Sequence, residues 1–429
     1  MEISTLTMYN DWWITGHPRK ELVQPHHRPI FEKIMSYIDD RQIILLYGLR
    51  RVGKTTIIYQ IIDKLLNDGV PRDRILYFSF DENNATIDEL LRIYSNEVLR
   101  TNLDKAGKLY IILDEIQKET DWENRTKIYY DLYPNIKFII SGSASLNIKK
   151  KSSETLAGRL YSFLISPLDF REFLELKGIR PELTQWRLYS KTIEPLVMDY
   201  ALKGGFPELV HENNTEKIAT YVKEIVLDRI LLVDIPQEFG IRDISLMRTI
   251  VELIASSPGF IINYDSLSKK LGRSKQTLMN YFFYLEYSLI IGTVQNMRPG
   301  FLSTSRKMKK AYFSSSAFQL ALRRQNYTDR GKLYGSIVFQ SVYPDRYYRE
   351  GNEEIDFILL DDKEITPLEV KSGNFEIKKF TKLLEKLDLS SGIIISDGEF
   401  RIHKDGEITV KIIPLWLFIL FPTRISELS

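Results

Sequence analysis

Gly48-Leu-Arg-Arg-Val-Gly-Lys-Thr55 matches the pattern G-x-x-x-x-G-K-[ST] at every position. An apolar stretch, Ile43 to Tyr47, precedes it, and a helix-like stretch, Thr56 to Leu66, follows it. Glycines at both ends let the backbone approach phosphate oxygens, and the following helix points its positive N-terminal end at the same charge. The stretch therefore predicts a phosphate-binding loop between a strand and a helix, and this context favours that interpretation over a chance match.

Each position of the loop has an expected role in binding a nucleotide. Lys54 reaches the β- and γ-phosphates, and the Thr55 hydroxyl ligates Mg²⁺. ATP and Mg²⁺ are therefore the expected cofactors. The residues predicted to bind them are Gly48, Leu49, Arg50, Arg51, Val52, Gly53, Lys54, Thr55 and Thr56.

A second apolar stretch, Leu109 to Leu113, ends in the carboxylates Asp114 and Glu115. This pattern predicts a buried parallel strand whose C-terminal end carries acid. We expect Asp114 to hold Mg²⁺ directly or through water, and Glu115 to orient or deprotonate an attacking water. The alternative is that both acids only cap the next helix. Their position 60 residues after Lys54 favours the functional interpretation.

Two further apolar stretches, Arg74 to Phe80 and Ile136 to Ile140, complete a set of strand–helix repeats. The second ends in Ser141-Gly-Ser143, where a hydroxyl at the strand end can sense the γ-phosphate, and Ser143 is assigned to the nucleotide site. An ordinary Ser-Gly turn is the alternative. The repeats predict an α/β fold with a parallel sheet that binds its ligand at the C-terminal ends of the strands.

The composition is that of an ordinary globular protein, with 44% hydrophobic and 27% charged residues. The longest apolar stretch, Ile412 to Phe421, is far shorter than the roughly 18–20 residues of a membrane span. The N-terminal residues do not form a signal-sequence pattern. Cysteine is absent, which excludes disulfides and thiolate metal sites. We therefore expect a cytoplasmic protein without a membrane partner.

Positive charge is concentrated in one part of the chain, although the net charge is only +2. Between Ser266 and Thr328 there are eleven Lys and Arg residues and one acid, Glu286, so this span carries +10 and the rest −8. Such a basic island is expected of a protein that contacts a nucleic-acid backbone. DNA is therefore the expected partner.

Changes in periodicity divide the chain into five predicted segments. Residues 1–40 form a lead-in, 41–166 the P-loop ATPase core, 167–240 a helical lid, 241–328 a winged helix, and 329–429 an α/β domain.

Three helical patterns followed by a basic hairpin suggest the winged helix-turn-helix. The helices are predicted at Ser245–Ser257, Tyr264–Leu271 and Ser274–Tyr287. A winged helix that contacts proteins is the alternative to one that contacts DNA. The residues predicted to bind DNA are Lys275, Gln276, Arg298, Lys307, Lys309 and Lys310.

The last segment contains two neighbouring strand patterns, Glu354 to Leu360 and Pro367 to Lys371. In a hairpin Asp356 faces Glu369 and Lys371, because residues two apart share a face of the strand. Two carboxylates and a lysine in this arrangement are able to hold a metal ion for phosphodiester cleavage. Surface charge on two edge strands is the alternative interpretation.

Several motifs resemble a family of prokaryotic, notably archaeal, P-loop ATPases of the extended AAA+ group. Its members join an ATPase module to a winged helix and to a C-terminal domain of the DUF4143 type, related to restriction-endonuclease folds. The resemblance covers nearly the whole chain from about Gln24. It rests on Arg50–Thr55, Leu113–Ile116, Leu156–Arg159, Pro167–Phe170, Gly204–Pro207, Glu354–Phe357 and Leu368–Lys371.

The resemblance implies a Mg²⁺-dependent ATPase that acts on DNA or is switched by it. A nucleotide-switched protein that binds protein partners and an ATP-gated nuclease are the alternatives. The resemblance also makes Arg159 a candidate catalytic arginine near the γ-phosphate, acting in cis or from a neighbouring subunit of a homo-oligomer. An arginine that merely ends a turn before a strand is the alternative.

Two departures from the family weigh against DNA cleavage. Such nuclease-like domains often carry an acid on the helix before the strands, and this chain has Leu333-Tyr-Gly335-Ser336 there. Tyr312-Phe-Ser-Ser-Ser316 has serine where relatives tend to have aspartate. The ATPase expectation is unaffected.

Overall fold

Two β-sheets organise the chain, and each belongs to a different part of the sequence. The computed structural model describes residues 2–81, 85–143, 156–297, 304–323, 329–361 and 364–427. The chain divides into two compact units, residues 1–166 and 167–429. The first sheet lies in the first unit and the second sheet in the second, so the expected α/β class is confirmed.

The first sheet is parallel throughout, as the strand–helix repeats predict. Its order is β2-β3-β4-β1-β5. Because β1 lies between β4 and β5, the loop that follows β1 leaves the sheet where the strand order reverses, which is where such sheets bind ligands. The strands are β1 (Ile43–Gly48), β2 (Ile75–Ser79), β3 (Leu109–Asp114), β4 (Ile136–Ser143) and β5 (Leu160–Leu164).

Helices cover the first sheet and bury its apolar strands. The helix after β1 begins at Lys54 and buries Ile57, Ile58, Ile61 and Ile62. The α-helices are α1 (Ile3–Tyr9), α2 (Trp12–Thr15), α3 (Pro29–Met35), α4 (Lys54–Asn67), α5 (Ile87–Ile93) and α6 (Trp122–Leu132), with a π-helical turn at Tyr94–Leu99 and 3₁₀ turns at Arg72–Arg74, Leu103–Lys105 and Ile116–Lys118.

The second sheet is mixed and has the order β13-β14-β12-β11-β10-β9-β7-β8-β6. The pairs β7–β9, β11–β12 and β12–β14 are parallel, and the remaining pairs are antiparallel. Its strands are β6 (Phe260–Ile261), β7 (Ile291–Met297), β8 (Thr304–Phe313), β9 (Arg346–Glu350), β10 (Glu353–Asp361), β11 (Glu364–Val370), β12 (Ser391–Ser396), β13 (Arg401–Asp405) and β14 (Ile408–Pro414).

Segments predicted as separate domains share this second sheet. β7, from the segment 241–328, pairs in parallel with β9, from the segment 329–429, so that Asn296 lies opposite Tyr347. One hydrophobic core contains Phe173, Tyr312 and Phe357, which come from three predicted segments. The domain boundaries at 240 and 328 remain predictions; the core of this unit crosses both positions, and its sheet crosses the second.

The helices of the second unit keep the expected order of three helices before a hairpin. The interpretations of this unit as a helical lid, a winged helix and a restriction-endonuclease-like domain remain predictions. The α-helices are Phe170–Leu176, Trp186–Ile193, Leu196–Lys203, Thr215–Thr220, Ile235–Phe239, Ile244–Ser256, Tyr264–Leu271, Lys275–Tyr287, Ser316–Leu322, Arg330–Val342, Ile377–Lys386 and Leu415–Leu420, with π-helical turns at Tyr221–Asp228 and Ile230–Asp234 and 3₁₀ turns at Leu183–Gln185, Pro207–Leu209 and Ile425–Glu427. Throughout the described ranges, every helix is too short or too polar to cross a bilayer.

A buried lysine fixes the lead-in to the first sheet. Lys137 in β4 is only 2% exposed, and its ammonium donates to the carbonyl oxygens of Tyr37, Asp40 and Gln42 at 2.8, 2.6 and 2.6 Å. Burial lowers the pKa of Lys137 to about 8. The ammonium therefore donates to three carbonyl groups of the turn after α3 and ties this turn to β4.

We expect Lys137→Met to destabilise the first unit by roughly 3 kcal/mol, because it leaves these carbonyls without their donor. The matched control is Lys108→Met, since Lys108 pairs with Asp39 at the surface and such pairs contribute about 0–1 kcal/mol. Urea unfolding of both variants measures the difference. Equal losses of unfolding free energy would contradict a structural role for Lys137.

Candidate functional site

The predicted phosphate-binding loop joins the end of β1 to the start of α4. A side chain at Gly48 would lie 2.2 Å from the carbonyl oxygen of Ile165, so only glycine fits there. Arg51 and Gly53 have φ of 66° and 95°, in the left-handed region. Alternating left- and right-handed residues turn successive N–H groups inward and make an anion-binding concavity. The loop backbone therefore has the shape that phosphate binding requires.

The loop side chains divide into those that anchor it and those at its mouth. Leu49 and Val52 are buried, so they contribute to the predicted site through their backbone alone. Arg50 and Thr56 are half-buried, and Arg51 and Thr55 are exposed. The loop is thus held from inside by apolar contacts and presents polar groups outward. Whether each residue contacts a nucleotide remains a prediction.

Lys54 lies inside the loop. It is 5% exposed, and its ammonium donates to the carbonyl oxygens of Gly48 and Leu49 at 3.2 and 2.9 Å. These two bonds hold the ammonium against the first two residues of the loop. This is where a phosphate oxygen would accept from it.

The Asp114 carboxylate is the centre of the hydrogen-bond network below the loop. It is 2% exposed, and Oδ2 accepts from the hydroxyls of Thr55 at 2.8 Å and Tyr77 at 3.1 Å. Oδ1 accepts from the Ser141 hydroxyl and from the N–H of Glu115 at 3.0 Å. Four donors from α4, β2, β4 and the end of β3 thus compensate for the burial of one carboxylate.

Glu115 leaves β3 in a left-handed conformation, with φ of 52°. Its Oε2 accepts a hydrogen bond of 2.5 Å from the Gln117 side chain. A left-handed non-glycine residue costs about 1–3 kcal/mol and is characteristic of functional sites. The Glu115 carboxylate is thus bonded to Gln117, whereas the Asp114 carboxylate accepts from Thr55, Tyr77, Ser141 and the Glu115 N–H.

Residues of the lead-in contact the loop and α4. The sequence alone did not predict a role for these residues. Arg28 donates from Nη1 to the carbonyl oxygens of Val52 and Ser166 at 3.1 and 2.9 Å. Gln60 in α4 donates to the carbonyl oxygens of Gln24 and His26 at 2.7 and 2.9 Å. The lead-in therefore lies along the loop side of α4.

Arg159 does not support the predicted role in cis. The N–H of Ile43 donates to the Arg159 carbonyl oxygen at 2.8 Å, so Arg159 lies beside the start of β1, whereas the loop follows its end at Gly48. Five strand residues separate these positions by roughly 16 Å. The guanidinium pairs with Asp131 at 3.0 and 3.2 Å. The motif that contains Arg159 could not reveal this strand register. A catalytic role of Arg159 in the site of a neighbouring subunit remains a prediction.

Ser143 occupies the last position of β4 and lies opposite Gly48 in the sheet. Its backbone is therefore at the loop, as predicted, while its side chain lies outside the described residues. The hydroxyl that contacts the Asp114 centre belongs to Ser141. In the sequence, Ser141 stands out only as part of the strand-end motif and Tyr77 only as part of an apolar strand, so their contacts with Asp114 were not predicted.

The second unit brings Asp356, Glu369 and Lys371 together, as strand alternation predicts. Asp356 lies opposite Glu369, its N–H donates to Glu369 Oε2 at 3.3 Å, and Val370 N–H donates to Asp356 Oδ2 at 2.9 Å. Lys371 Nζ lies 2.5 Å from Glu369 Oε1. Burial and the Asp356 charge raise the pKa of Glu369. These residues form one partly buried charge cluster.

Lys310 joins this cluster, so its predicted role in DNA binding is wrong. It is 3% exposed, and its ammonium pairs with Glu354 and lies 3.9 Å from Asp356 Oδ1 and 4.6 Å from the centre of the Tyr347 ring. A buried, paired lysine cannot contact a DNA backbone. The sequence could not show this, because the partners of Lys310 come from a strand more than 40 residues away.

Positive side chains surround Asp356 and Glu369, the residues predicted to hold a metal. Three cations, Lys310, Arg349 and Lys371, pair with Glu354, Asp356 and Glu369. A divalent ion would compete with these cations for the carboxylates, and metal binding by Asp356 and Glu369 remains a prediction. Over the described ranges, no group of three or more His, Cys, Asp or Glu is arranged to hold a metal. No reaction step is therefore assigned to this centre.

The other residues predicted to bind DNA have different surroundings. Lys275 is exposed and pairs with Asp265, and Gln276 donates to Asn280 at 3.0 Å. Lys309 is half-buried. Arg298 and the side chain of Lys307 lie outside the described residues. DNA binding by these residues remains a prediction.

Family models match three consecutive parts of the chain. They are an AAA domain at residues 40–174, a domain of unknown function, DUF8612, at 194–329, and another, DUF4143, at 332–418. The Methanocaldococcus jannaschii protein "Uncharacterized protein MJ1637" is 30% identical over 407 residues, which cover 85% of this chain and 83% of that protein. The chain belongs to the family of this relative. It is an AAA-family protein that binds and hydrolyses ATP.

Other relatives extend the family across archaea and bacteria. "Uncharacterized protein MJ1544" of Methanocaldococcus jannaschii is 26% identical, with 87% of each chain covered. An "Uncharacterized protein" of Haemophilus influenzae is 24% identical, with 90% of this chain and 96% of that protein covered.

Two solved structures of other proteins also match part of the chain. The "Structure of C. elegans PCH-2" covers 65% of this chain and 71% of that one at 16% identity and a TM-score of 0.27. The "Structure of AMPPCP-bound DnaA from Aquifex aeolicus" covers 60% and 86% at 13% identity and a TM-score of 0.29. Both TM-scores are low, so neither protein's function is transferred to this chain.

The loop and the Asp114 centre of this AAA domain fit ATP and Mg²⁺. Gly48 opens the loop at a point where a side chain would collide with the carbonyl oxygen of Ile165, and Arg51 and Gly53 within the loop have left-handed φ values. The Thr55 hydroxyl and Asp114 Oδ2 lie 2.8 Å apart, and both are oxygen ligands of the kind Mg²⁺ prefers. Mg²⁺ usually takes only one or two protein ligands in such sites, and phosphates and water supply the others. Thr55 and Asp114 are the residues that would hold it.

The buried Lys310 leads to a prediction on stability. Lys310→Met should destabilise the second unit by roughly 3 kcal/mol, because it removes a buried ammonium that pairs with the half-buried carboxylates of Glu354 and Asp356. Lys309→Met, on the neighbouring residue of the same strand, should change the unfolding free energy by about 0.5 kcal/mol or less. Urea unfolding of both variants tests the assignment.

A double variant separates pairing from packing at this site. Lys310→Met combined with Glu354→Leu should recover part of the loss, since both members of the main pair are then apolar. If Lys309→Met were the more destabilising single change, the burial of Lys310 would be contradicted.

Proposed function

We propose that the first unit hydrolyses ATP in a Mg²⁺-dependent reaction and that the second unit binds a partner. One observation carries the first part. The hydroxyl of Thr55, on the helix after the loop, and the carboxylate of Asp114, at the end of β3, meet at 2.8 Å. Two oxygen ligands from separate elements thus converge below a loop shaped for phosphates, at the C-terminal edge of the sheet.

The named residues divide the work of hydrolysis. Lys54 and the N–H groups of the loop neutralise the charge that develops on the transferred phosphoryl group. Thr55 and Asp114 would hold Mg²⁺, which would supply positive charge next to the phosphate oxygens. Glu115 accepts a hydrogen bond from the attacking water and orients it or takes its proton. Catalysis is then mainly a matter of positioning and electrostatics.

The position of Glu115 supports its separate role. Glu115 has a left-handed backbone, and its carboxylate accepts a hydrogen bond of 2.5 Å from the Gln117 side chain. A base must be held at hydrogen-bond distance from the water that it activates. The Glu115 side chain is therefore held by Gln117, while its backbone N–H donates to Asp114.

Two substitutions test this division of roles. Lys54→Ala should abolish nucleotide binding or turnover, because Lys54 contacts the phosphates in the ground state. Glu115→Gln should bind ATP like the wild type and hydrolyse it at least about 100-fold more slowly, because the residue acts on the water. Phosphate release and binding of a fluorescent ATP analogue measure the two properties.

Glu97→Gln is the matched control, since Glu97 is an exposed carboxylate of the same unit. It should leave both binding and turnover at wild-type values. A Glu115→Gln protein with wild-type turnover would refute the assignment of the base while leaving the nucleotide site intact.

For the second unit we propose a protein partner rather than DNA. The helix Lys275–Tyr287, expected to read DNA, exposes Met279 and Phe283 to 47% and 49%. Its one exposed lysine, Lys275, is already paired with Asp265. Exposed apolar side chains on one helix face are typical of protein contacts, whereas DNA contacts need positive and polar groups.

Ion pairs within the unit also reduce the basic island. Arg273 donates from Nε and Nη2 to Asp243 Oδ2 at 3.2 and 2.8 Å. Hydrogen bonds from Ser245 and then from Arg273 lower the pKa of Asp243 to about 2. Lys310 is buried, and Arg273 and Lys275 form surface ion pairs with Asp243 and Asp265, so three charges of the basic island already have acidic partners within the protein. Lys269 and Lys270 are the exposed lysines that still favour the DNA alternative.

DNA binding of the full chain distinguishes the two alternatives. With a protein partner, the wild type should show little retention on random duplex DNA at physiological salt, and Lys269→Gln with Lys270→Gln should change nothing. Fluorescence anisotropy between about 50 and 200 mM salt measures this. Tight binding whose salt slope falls by about 0.9 per lost phosphate contact in the lysine variant would overturn the proposal in favour of DNA.

A further inference from the structure

Tyr77 lies next to the predicted metal ligand although it belongs to a strand that carries no nucleotide motif. It is in β2, is 3% exposed, and donates its hydroxyl to Asp114 Oδ2 at 3.1 Å. Thr55 donates to the same oxygen at 2.8 Å. One carboxylate oxygen therefore has two hydroxyl donors, and one of them belongs to the residue expected to ligate Mg²⁺.

Contacts on several sides hold Tyr77 in this position. Its N–H donates to Asn10 Oδ1 at 2.7 Å, and its carbonyl oxygen accepts from Asn10 Nδ2 at 2.8 Å. Its ring lies 5.2 Å from the Tyr59 ring in α4 and 6.2 Å from the Tyr9 ring in α1. The Tyr77 hydroxyl is therefore fixed from the strand, the P-loop helix and the N-terminal helix before any ligand binds.

The two donors on Asp114 Oδ2 have different expected roles. The Thr55 hydroxyl would ligate Mg²⁺ through an oxygen lone pair, which leaves its O–H able to donate to Asp114, so Thr55 would belong to the metal site itself. Tyr77 is held by its neighbours and is not a predicted ligand of the metal or the nucleotide. A carboxylate held by fewer donors is free to take other orientations, which weakens an ordered metal site.

We propose that Tyr77 is a positioning residue for the metal centre, whose hydroxyl holds Asp114 in the orientation that the Mg²⁺–nucleotide complex needs. This inference rests on the proposed Mg²⁺-dependent reaction. Ser141 performs the equivalent task at Oδ1, together with the N–H of Glu115. Apart from Thr55, the carboxylate is thus held on both oxygens by donors of β2, β4 and the residue after β3.

The test compares binding of a non-hydrolysable ATP analogue to the full chain in Mg²⁺ and in EDTA. The ratio of the two affinities measures the contribution of the metal site separately from turnover. Tyr77→Phe removes one hydroxyl and keeps the ring. Because hydrogen bonds to charged groups contribute about 1.5–3 kcal/mol, we expect this ratio to fall about 10-fold or more, with the affinity in EDTA unchanged.

Tyr94→Phe is the matched control. Tyr94 is a buried tyrosine of the same unit, and its hydroxyl donates to the Asp73 carbonyl oxygen at 2.5 Å, away from Asp114. This variant also removes one buried hydroxyl hydrogen bond, so any general loss of stability affects both proteins. The affinity ratio of Tyr94→Phe should equal that of the wild type.

Three outcomes decide the matter. A lower ratio in Tyr77→Phe alone supports the inference. A wild-type ratio in Tyr77→Phe, or an equal loss of affinity in Mg²⁺ and EDTA, overturns it, because the ring would then act only by packing. If the wild type binds the analogue equally well with and without Mg²⁺, the proposed Mg²⁺-dependent function fails, and the inference about Tyr77 fails with it. If the wild type needs Mg²⁺ and Tyr77→Phe has the same affinity ratio, only the inference about Tyr77 fails.

Discussion

The buried Asp114 carboxylate is the constraint on which the first unit depends. An ionised carboxylate with almost no exposure costs several kcal/mol unless hydrogen bonds replace its water. Its donors come from α4, β2, β4 and the turn after β3. Each donor lies at a fixed position of a strand or helix. The four hydrogen bonds to Asp114 therefore form only if the parallel strands pair in the observed register. A slip of one residue in β3 would turn Asp114 to the other face.

Much of this centre was predictable because its parts follow local rules. The phosphate-binding loop is contiguous in sequence, and a carboxylate at the end of an apolar strand must lie at the same sheet edge as the loop. Cross-strand alternation likewise predicted that Asp356 and Glu369 meet. Tyr77 was missed because a tyrosine inside an apolar strand looks like core packing, and only the position of its hydroxyl shows otherwise. The Ser141 hydroxyl was noted without its partner for the same reason.

Long-range pairing explains what could not be predicted. Counting charges along the sequence treated Lys310 as part of a solvated basic island, but a carboxylate from β10 neutralises it inside the fold. The Arg159 prediction failed in cis because the motif that contains it says nothing about which end of β5 reaches the loop. In both cases the missing information was strand register, since it decides which distant side chains share a face.

The parallel pairing of β7 with β9 limits how this unit can evolve or be divided. The family models meet between residues 329 and 332, which suggests two exchangeable modules, yet one sheet crosses that point. A fragment beginning there would expose the edge of β9, and one ending there would expose β7. Bare strand edges pair with other chains and promote aggregation. Recombination of the two parts is therefore tolerated only when both partners of this strand pair are inherited together.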